Sequence, residues 1–438
     1  MPMEREAQGA ALQGSQRVTT RVETHGEPKI GIEEFMSICE RFGFSVDTLE
    51  RIRAVVSEED WGEGPFLANY YSGLPETKVQ AFERAAREIF GVPYAMGLSS
   101  GTGALHAALV GAGVGPDTEV ICAALGFFAT ASAVMLTGAT PVFCDVDDSL
   151  HLDPTKLEAL ITPKTVAIAP THVMGAVCDM GPIIEVAQRR GLKVIEDCAQ
   201  ACGATYRGAY VGTLGDYGCF SISAYKIVGG GEGGLLLAKS HELWERAAQL
   251  AEAGGLWRPD RFAPPRYAGE LFPGTNYRMS ELEAAVDVVQ LRKMPDAVAR
   301  FRRAKRAILD RLQTYREIQP QRSNDPDGDV GYTLRFFPRD VELSARIAAD
   351  LRAAGVDAAA RGPNAAPDWH SYAYMYPLQT RSAWPPPACP VCDDLFERMV
   401  TVSVNQWSTD DHCRRIADAM NAVFDKHCTR DDNARAWR

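Results

Sequence analysis

Short, nearly unbroken apolar runs alternate with amphipathic stretches through the middle of the chain. The runs Glu119–Ala123, Thr140–Asp145, Thr165–Pro170 and Lys193–Glu196 predict buried strands. Between them, the spacing predicts helices over 103–113, 128–136, 154–161 and 179–190. In the first, Leu105, Ala108, Leu109 and Ala112 form one apolar stripe; in the third, Asp153 is placed to cap. Strands without polar alternation, separated by helices, predict a mainly parallel sheet covered on both faces. Ligands of such sheets bind at the carboxyl ends of the strands. Asp145, Asp197 and the Thr171-His172 pair all fall there.

A helical stretch from Met279 to about Tyr315, expected to break near Pro295, leads to a smaller α/β unit. That unit reads as a strand over 331–337, a helix over 343–354, a strand over 399–404 and a helix over 409–424 capped by Ser408 or Thr409. The Pro-, Tyr- and Trp-rich segment 362–392 reads as a long loop. The pattern divides the chain into a mobile leader (1–29), a large domain (30–294), a small C-terminal domain (295–428) and a polar tail (429–438), with no internal repeat.

With 438 residues there is room for two substantial cores, and 46% hydrophobic and 24% charged residues describe an ordinary globular protein. A net charge of −11 argues against nucleic acid or an anionic membrane as the main partner. No apolar run approaches the ~20 residues of a membrane span, and no signal-peptide stretch opens the chain. The eleven cysteines are scattered and mostly lie in apolar runs, as in a reduced cytoplasmic protein. The one tight pair, Cys389-Pro390-Val391-Cys392, lacks a second pair or matching histidines and reads as an exposed loop, so no metal site is expected.

Chemistry concentrates around Lys226. It follows the apolar run Gly218–Ser221 and precedes Gly229-Gly230-Gly231, which permit close backbone approach to a bound group. A lysine in such a pocket has a lowered pKa and forms a Schiff base with an aldehyde. Asp197 ends an apolar strand and suits a carboxylate that keeps a pyridine nitrogen protonated. Asp145 competes on position, but Gln200 and the small residues Ala199, Ala201 and Gly203 after Asp197 leave space for a ring. Ser99-Ser100-Gly101-Thr102-Gly103 has the form of an anion-binding turn at a helix start, with Thr102 adding a hydroxyl. Phe127 is placed to stack on a planar ring. An amine, a carboxylate at a strand end and a phosphate-type turn are the parts of a pyridoxal phosphate (PLP) site.

The order Ser-Ser-Gly-Thr-x-Ala-Leu, Phe-x-Ala-Thr, Glu-Asp-x-x-Gln-Ala, Phe-Ser-x-x-x-x-Lys before Gly-Glu-Gly-Gly, and Asn-Tyr-Arg-Met-Ser-Glu resembles the DegT/StrS family over about Trp61 to Phe424. The resemblance implies a fold-type-I, aspartate aminotransferase-like architecture: a large domain on a mainly parallel sheet of the seven-stranded type, plus a smaller C-terminal α/β domain. It implies a PLP-dependent aminotransferase that moves an amino group from glutamate or glutamine to a keto or aldehyde group of a sugar- or cyclitol-like acceptor, in two half-reactions. Lys226 would hold the cofactor aldehyde and carry the proton between substrate and cofactor. Asp197 would pair with the pyridinium, Gln200 lie near the ring and Phe127 stack on it. Gly101, Thr102, Gly103 and Ser221 would hold the phosphate, and Asn276 would reach that of the neighbouring subunit in an obligatory homodimer. Many members carry His where this chain has Ser223, three residues before the lysine, and a Pro-Leu-His-type loop where this chain has Pro367-Asp368-Trp369-His370; Ser223, His370 and Arg278 are the candidate acceptor contacts. From Trp369 onward the chain is similar to the branch that aminates an eight-carbon ketosidic sugar acid.

Two other activities fit parts of this set. Sugar 3-dehydratases of the same fold typically carry His where this chain has Lys226, and some add four cluster-binding cysteines. A non-catalytic PLP-binding regulator would tolerate loss of the lysine or aspartate, and no basic DNA-binding segment is visible.

Overall fold

The computed structural model describes residues 28–62, 64–68, 74–255, 264, 270–361, 365–380 and 386–437. Most of the leader therefore lies outside the described residues. The chain divides into two compact units, residues 1–67 and 68–438. The first carries α1 (Ile32–Arg41) and α2 (Val46–Val56). Glu34 accepts the Gly31 N–H at 2.8 Å and Ser45 caps α2 through the Thr48 N–H, so each start has one orphan donor satisfied.

The second unit opens with α3 (Lys78–Phe90), β1 (Tyr94–Leu98), α4 (Gly101–Gly111), β2 (Glu119–Ala123), α5 (Ala129–Leu136) and β3 (Thr140–Cys144). There follow α6 (Leu157–Leu160), β4 (Thr165–Ala169), α7 (Met180–Arg190), β5 (Lys193–Asp197), the small hairpin β6 (Thr205–Tyr206) and β7 (Ala209–Tyr210), β8 (Tyr217–Ser221), β9 (Gly234–Ala238) and α8 (His241–Ala251). Seven strands form one sheet in the order β1-β9-β8-β5-β4-β2-β3, parallel except for β9, which runs against both neighbours. Its strands lack polar alternation because both faces are covered. In β2, Val120 and Cys122 enter one core while Ile121 and Ala123 enter the other, and in β9 Leu236 and Leu235 divide the same way.

After α9 (Glu281–Leu309) come β10 (Ile318–Pro320), β11 (Thr333–Pro338), α10 (Val341–Ala353), β12 (Ala358–Ala360), α11 (Pro390–Arg398), β13 (Val400–Ser403) and α12 (Asp410–His427). Four strands form an antiparallel sheet, β10-β11-β13-β12, that shares a third core with α10, α12 and the end of α9. Thr409, not Ser408, caps α12.

Several expectations need correction. Helix α9 does not break at Pro295 but runs through it, from its Ser280 cap to Leu309, so the 294/295 boundary falls inside a continuous helix. Proline forfeits one helical hydrogen bond there, and the buried side chains Leu291, Met294 and Val298 on either side hold the helix by packing. The 154–161 helix is a 3-10 turn, Pro154–Lys156, plus the short α6, with Asp153 accepting from Thr155. The 362–392 segment carries 3-10 turns at Tyr372–Tyr374 and Tyr376–Thr380 and ends in the first turn of α11. Residues 429–437 are not a free tail. Trp437 is buried and stacks on Phe424 at 5.9 Å, its indole N–H donates to Gln313 O, and Arg435 pairs with Asp148 at 2.7 Å.

The cysteines of the Cys389–Cys392 turn are likewise not exposed. Both thiols are buried, and the turn opens α11 with Pro390 in its first position. The Val391 and Cys392 amides donate to the Asp145 carboxylate at 3.2 and 2.9 Å, and Lys156 Nζ lies 2.8 Å from the same group. Asp145 is thus an anion buried at a helix N-terminus, which explains its position at a strand end without chemistry.

Candidate active site

Helix α4 is apolar on every side, with nine of its eleven residues buried, so it packs deeply against the sheet. Ser100 fixes its start by accepting the Gly103 N–H at 3.0 Å. Gly101 presses on the end of β8: a Cβ there would lie 2.8 Å from Ser221 Cβ and 2.9 Å from Ser221 Cα. The helix N-terminus, Thr102 and Ser221 thereby meet at one carboxyl strand end. The unpaired first-turn amides of α4 make that spot suited to an anion.

The chain leaves Ser221 into a loop between β8 and β9 that carries Lys226. The loop is tied to itself: the Ile222 and Ala224 amides donate to Gly233 O and Gly231 O at 2.9 Å, and the Lys226 amide donates to Ser223 O at 2.9 Å. Ser223 serves this turn and does not line the cavity. The glycines after Lys226 pack against the protein itself. A Cβ on Gly229 would meet Ala224 O at 2.7 Å, and one on Gly230 would meet Asp287 Oδ1 at 1.9 Å, so the protein's own packing requires them. Asp287 itself is fully buried on α9, and burial beside Glu283 raises its pKa to about 8.

The Lys226 side chain is half-buried and lines a cavity of about 430 Å³ with Ala199, Gln200, Tyr332, His370 and Gln406. Burial lowers the pKa of its amine, and the Asp197 carboxylate opposes part of that shift. Asp197 is 2% exposed. Thr130 Oγ1 donates to its Oδ2 at 2.5 Å, and the Ala199 amide donates to its Oδ1 at 3.0 Å. Gln200 is fixed by the Met174 amide, which donates to its Oε1 at 2.8 Å, while Tyr332 donates to its backbone carbonyl at 3.0 Å.

One wall comes from the segment before Tyr372. The Gly126 and Phe128 amides donate to His370 O and Trp369 O at 2.8 and 3.0 Å, so residues 125–128 and 369–371 run as a short ladder. Phe127 is exposed and lies 5.3 Å from the His370 ring, tilted by 52°. His370 Nδ1 is 2.8 Å from Asp368 Oδ1, which holds the Asp368 carboxyl below its usual pKa range, and Arg361 binds the other oxygen at 3.1 Å. His370 therefore belongs both to the Lys226 cavity and to the adjoining open cavity of Phe127 and Arg361.

Asn276 and Arg278 stand apart in this single chain. Asn276 is exposed and accepts the Arg278 amide, and the Arg278 guanidinium lies 3.4 Å from Glu252; neither lines the cavity. Beneath the floor, His172, Glu196 and Cys198 bring potential metal ligands within 4.8 Å of one another. Glu196 is already occupied by His172 Nε2 and the amides of Gly212, Leu214 and Gly215, and His172 Nδ1 accepts from Cys178. The group thus reads as a strand anchor. Thr130, Tyr332 and Gln406 were not anticipated as site residues. Thr130 sits in the Phe127 motif, so a local signal existed; Tyr332 and Gln406 arrive from distant sequence.

A lysine on the loop between β8 and β9, facing a buried aspartate at the end of β5 in this strand order, defines the fold-type-I aminotransferase architecture. The aminotransferase from Psychrobacter cryohalolentis superimposes with a TM-score of 0.70 at 28% identity, over 88% of this chain and 98% of that one. The chain belongs to the DegT/DnrJ/EryC1/StrS aminotransferase family, whose profile matches residues 72–421. GDP-perosamine synthase of Caulobacter vibrioides is 45% identical over 221 residues, 50% of this chain but only 57% of that protein. The L-glutamine:2-deoxy-scyllo-inosose aminotransferase of Streptomyces fradiae is 36% identical over 359 residues, 77% of this chain and 83% of that one.

Proposed function

We propose that this protein is a PLP-dependent aminotransferase transferring an amino group from glutamate or glutamine to a keto or aldehyde carbon of a sugar- or cyclitol-like acceptor, by a ping-pong mechanism. The observation that carries this reading is the Lys226 amine, half-buried in a cavity with its pKa lowered by burial and Asp197 near it. The chain's residues suit the cofactor. The Gly101–Ser221 approach has no room for a Cβ and presents free helix amides, and Asp197 is buried with Thr130 and Ala199 fixing both oxygens.

When bound, PLP supplies an electron sink for the carbon that loses a proton. Lys226 would hold the aldehyde carbon and, once freed, take and return that proton; a lowered pKa leaves more of the amine neutral for both tasks. Asp197 would keep the ring nitrogen protonated, with its orientation set by Thr130. Gly101, Thr102, Gly103 and Ser221 would bind the phosphate. Phe127 and Gln200 would flank the ring, and His370, oriented by Asp368, would face the acceptor.

The perosamine synthase and inosose aminotransferase relatives support the acceptor class, and the Streptomyces relative supports glutamine as donor. We further propose a homodimer in which Asn276 and Arg278 act on the partner's site. The exposure of Asn276 and the absence of both residues from the lining of their own chain's cavity fit that role, as does the exposed apolar row Leu282, Val286 and Val289 on α9. A net charge of −11, and the absence among the described residues of any helix long and apolar enough to cross a membrane, accord with action in the cytoplasm.

The test is to reconstitute the protein with PLP, reduce with borohydride and map the added mass, then assay 2-oxoglutarate release from glutamate and 2-oxoglutaramate release from glutamine. Label on Lys226, and loss of label and turnover in Lys226→Ala, are expected. A colourless protein with no adduct on Lys226 would refute the reading.

A further inference from the structure

A second cavity, of about 260 Å³, opens between the later half of α9, strands β10 and β11 and the segment 321–331. It shares no lining residue with the Lys226 cavity. Its wall carries five basic side chains against two carboxylates, Asp327 and Asp329, in a chain whose net charge is −11. The site therefore reverses the field of the whole molecule locally.

Most of these cations have answers within the protein. Arg302 donates to Gly328 O and Asp329 O, Lys305 lies 3.2 Å from Asp329 Oδ2, and Arg306 pairs with Asp327. Arg322 is held by Asp147 and Asp148, which do not line the cavity. Arg335 differs. It is 4% exposed, and among the described residues it forms no ion pair. Its Nε donates to Gln321 Oε1 at 2.7 Å and its Nη1 to Met174 O at 2.8 Å, both neutral acceptors, and its Nη2 has no acceptor among the described residues. Buried charges are normally paired, because taking a cation out of water costs several kcal/mol. Burial indeed lowers its pKa, opposed by Tyr332 and Asp329.

Asp329 Oδ1 is also buried without a partner. Alone it would draw a donor group, but Arg302 and Arg335, whose hydrogen bonds reach only neutral oxygens, set the net preference, and an anion bearing a hydroxyl satisfies both. Trp437, Leu309 and Leu334 supply apolar surface beside the charges.

We propose that this cavity is a second ligand site, for a small phosphate- or carboxylate-bearing anion, with Arg335 as its buried anchor and Lys305 and Arg306 at its rim. The site is joined to the Lys226 cavity by two bonds: Arg335 donates to Met174 O, and the Met174 amide donates to Gln200, which lines that cavity. Met174 holds a left-handed backbone, with φ at 51°, so its peptide orientation depends on those partners.

The test is calorimetric titration of the full-length protein, saturated with PLP, using inorganic pyrophosphate and, separately, citrate, in a buffer free of both. Saturable one-to-one binding is expected, weakened at least ~10-fold by Arg335→Gln and a few-fold by Lys305→Gln or Arg306→Gln. Response to pyrophosphate alone would assign a phosphate ligand, and to citrate alone a carboxylate. The two rim variants keep the test decisive if Arg335→Gln fails to fold. No saturable binding of either probe at millimolar concentration, or binding that no cavity variant alters, would overturn the proposal. Because these variants lie outside the Lys226 cavity, a failure of the PLP assignment leaves this comparison readable.

Discussion

Replacing Thr130 by valine tests how Asp197 is held. Thr130 is 4% exposed and its hydroxyl donates to Asp197 Oδ2 at 2.5 Å; among the described residues, the only other donor to that carboxylate is the Ala199 amide on Oδ1. Valine keeps the shape and removes the donor, leaving one oxygen of a 2%-exposed carboxylate unsatisfied. A hydrogen bond to a charged group contributes roughly 1.5–3 kcal/mol, so the cofactor-free protein should lose about that much stability in urea unfolding. The carboxylate also gains rotational freedom just where a ring nitrogen must be met. Some 1.4 kcal/mol of that misalignment corresponds to ~10-fold weaker PLP binding by absorbance titration. Thr130→Ser restores the hydroxyl and should recover most of both losses. If valine leaves stability and PLP affinity at the wild-type level, the bond does not position Asp197 and the proposed role of the pair fails.

The Lys226 amine should react with an acylating reagent in cofactor-free protein with a pH midpoint below the ordinary lysine value of 10.5, because burial disfavours its charged form. In sign, its stability contribution is complete above 10.5 and is lost as pH falls through the lowered native value; Asp197→Asn should move the midpoint lower still, since that carboxylate supports the ammonium. Gly101→Ala places a methyl 2.8 Å from Ser221 Cβ, so the start of α4 must shift; about 1–3 kcal/mol of overpacking strain and weaker PLP binding are expected from denaturation and titration. Asp145→Ala strips the Val391 and Cys392 amides of their acceptor, costing roughly 1–3 kcal/mol, and should speed labelling of Cys389 and Cys392 by a thiol reagent without changing the PLP spectrum.

The strands of the large sheet were legible in sequence because burial on both faces removes alternation and leaves short apolar blocks with sharp ends. Strand β2 occupies the residues expected of it, and β4 and β5 differ by one residue at one end. The start of α4 was read two residues late, since Ser100 caps it while the apolar stripe begins only at Leu105. What local pattern hid was long-range. Pro295 looks like a break, but packing on both sides carries α9 past it. Cys389–Cys392 looks like a loop until Asp145, far away in sequence, caps it. Asp145 and Asp197 look alike as strand ends; the small residues after Asp197 set it apart in sequence, and the partners do so in the fold: the Val391 and Cys392 amides and Lys156 for one, Thr130 and the Ala199 amide for the other. The apolar run cannot reveal that Gly230, after Lys226, fits against Asp287.

The ladder joining residues 125–128 to 369–371 uses main-chain atoms alone. Any side chains at 369 and 370 can keep those bonds, so the scaffold does not restrict which residues face an incoming molecule there. Drift at these positions can reshape the mouth while leaving the lysine and its aspartate undisturbed. A lineage carrying this wall can exchange one acceptor for another by few substitutions, and such exchange should leave its trace there before it reaches the floor.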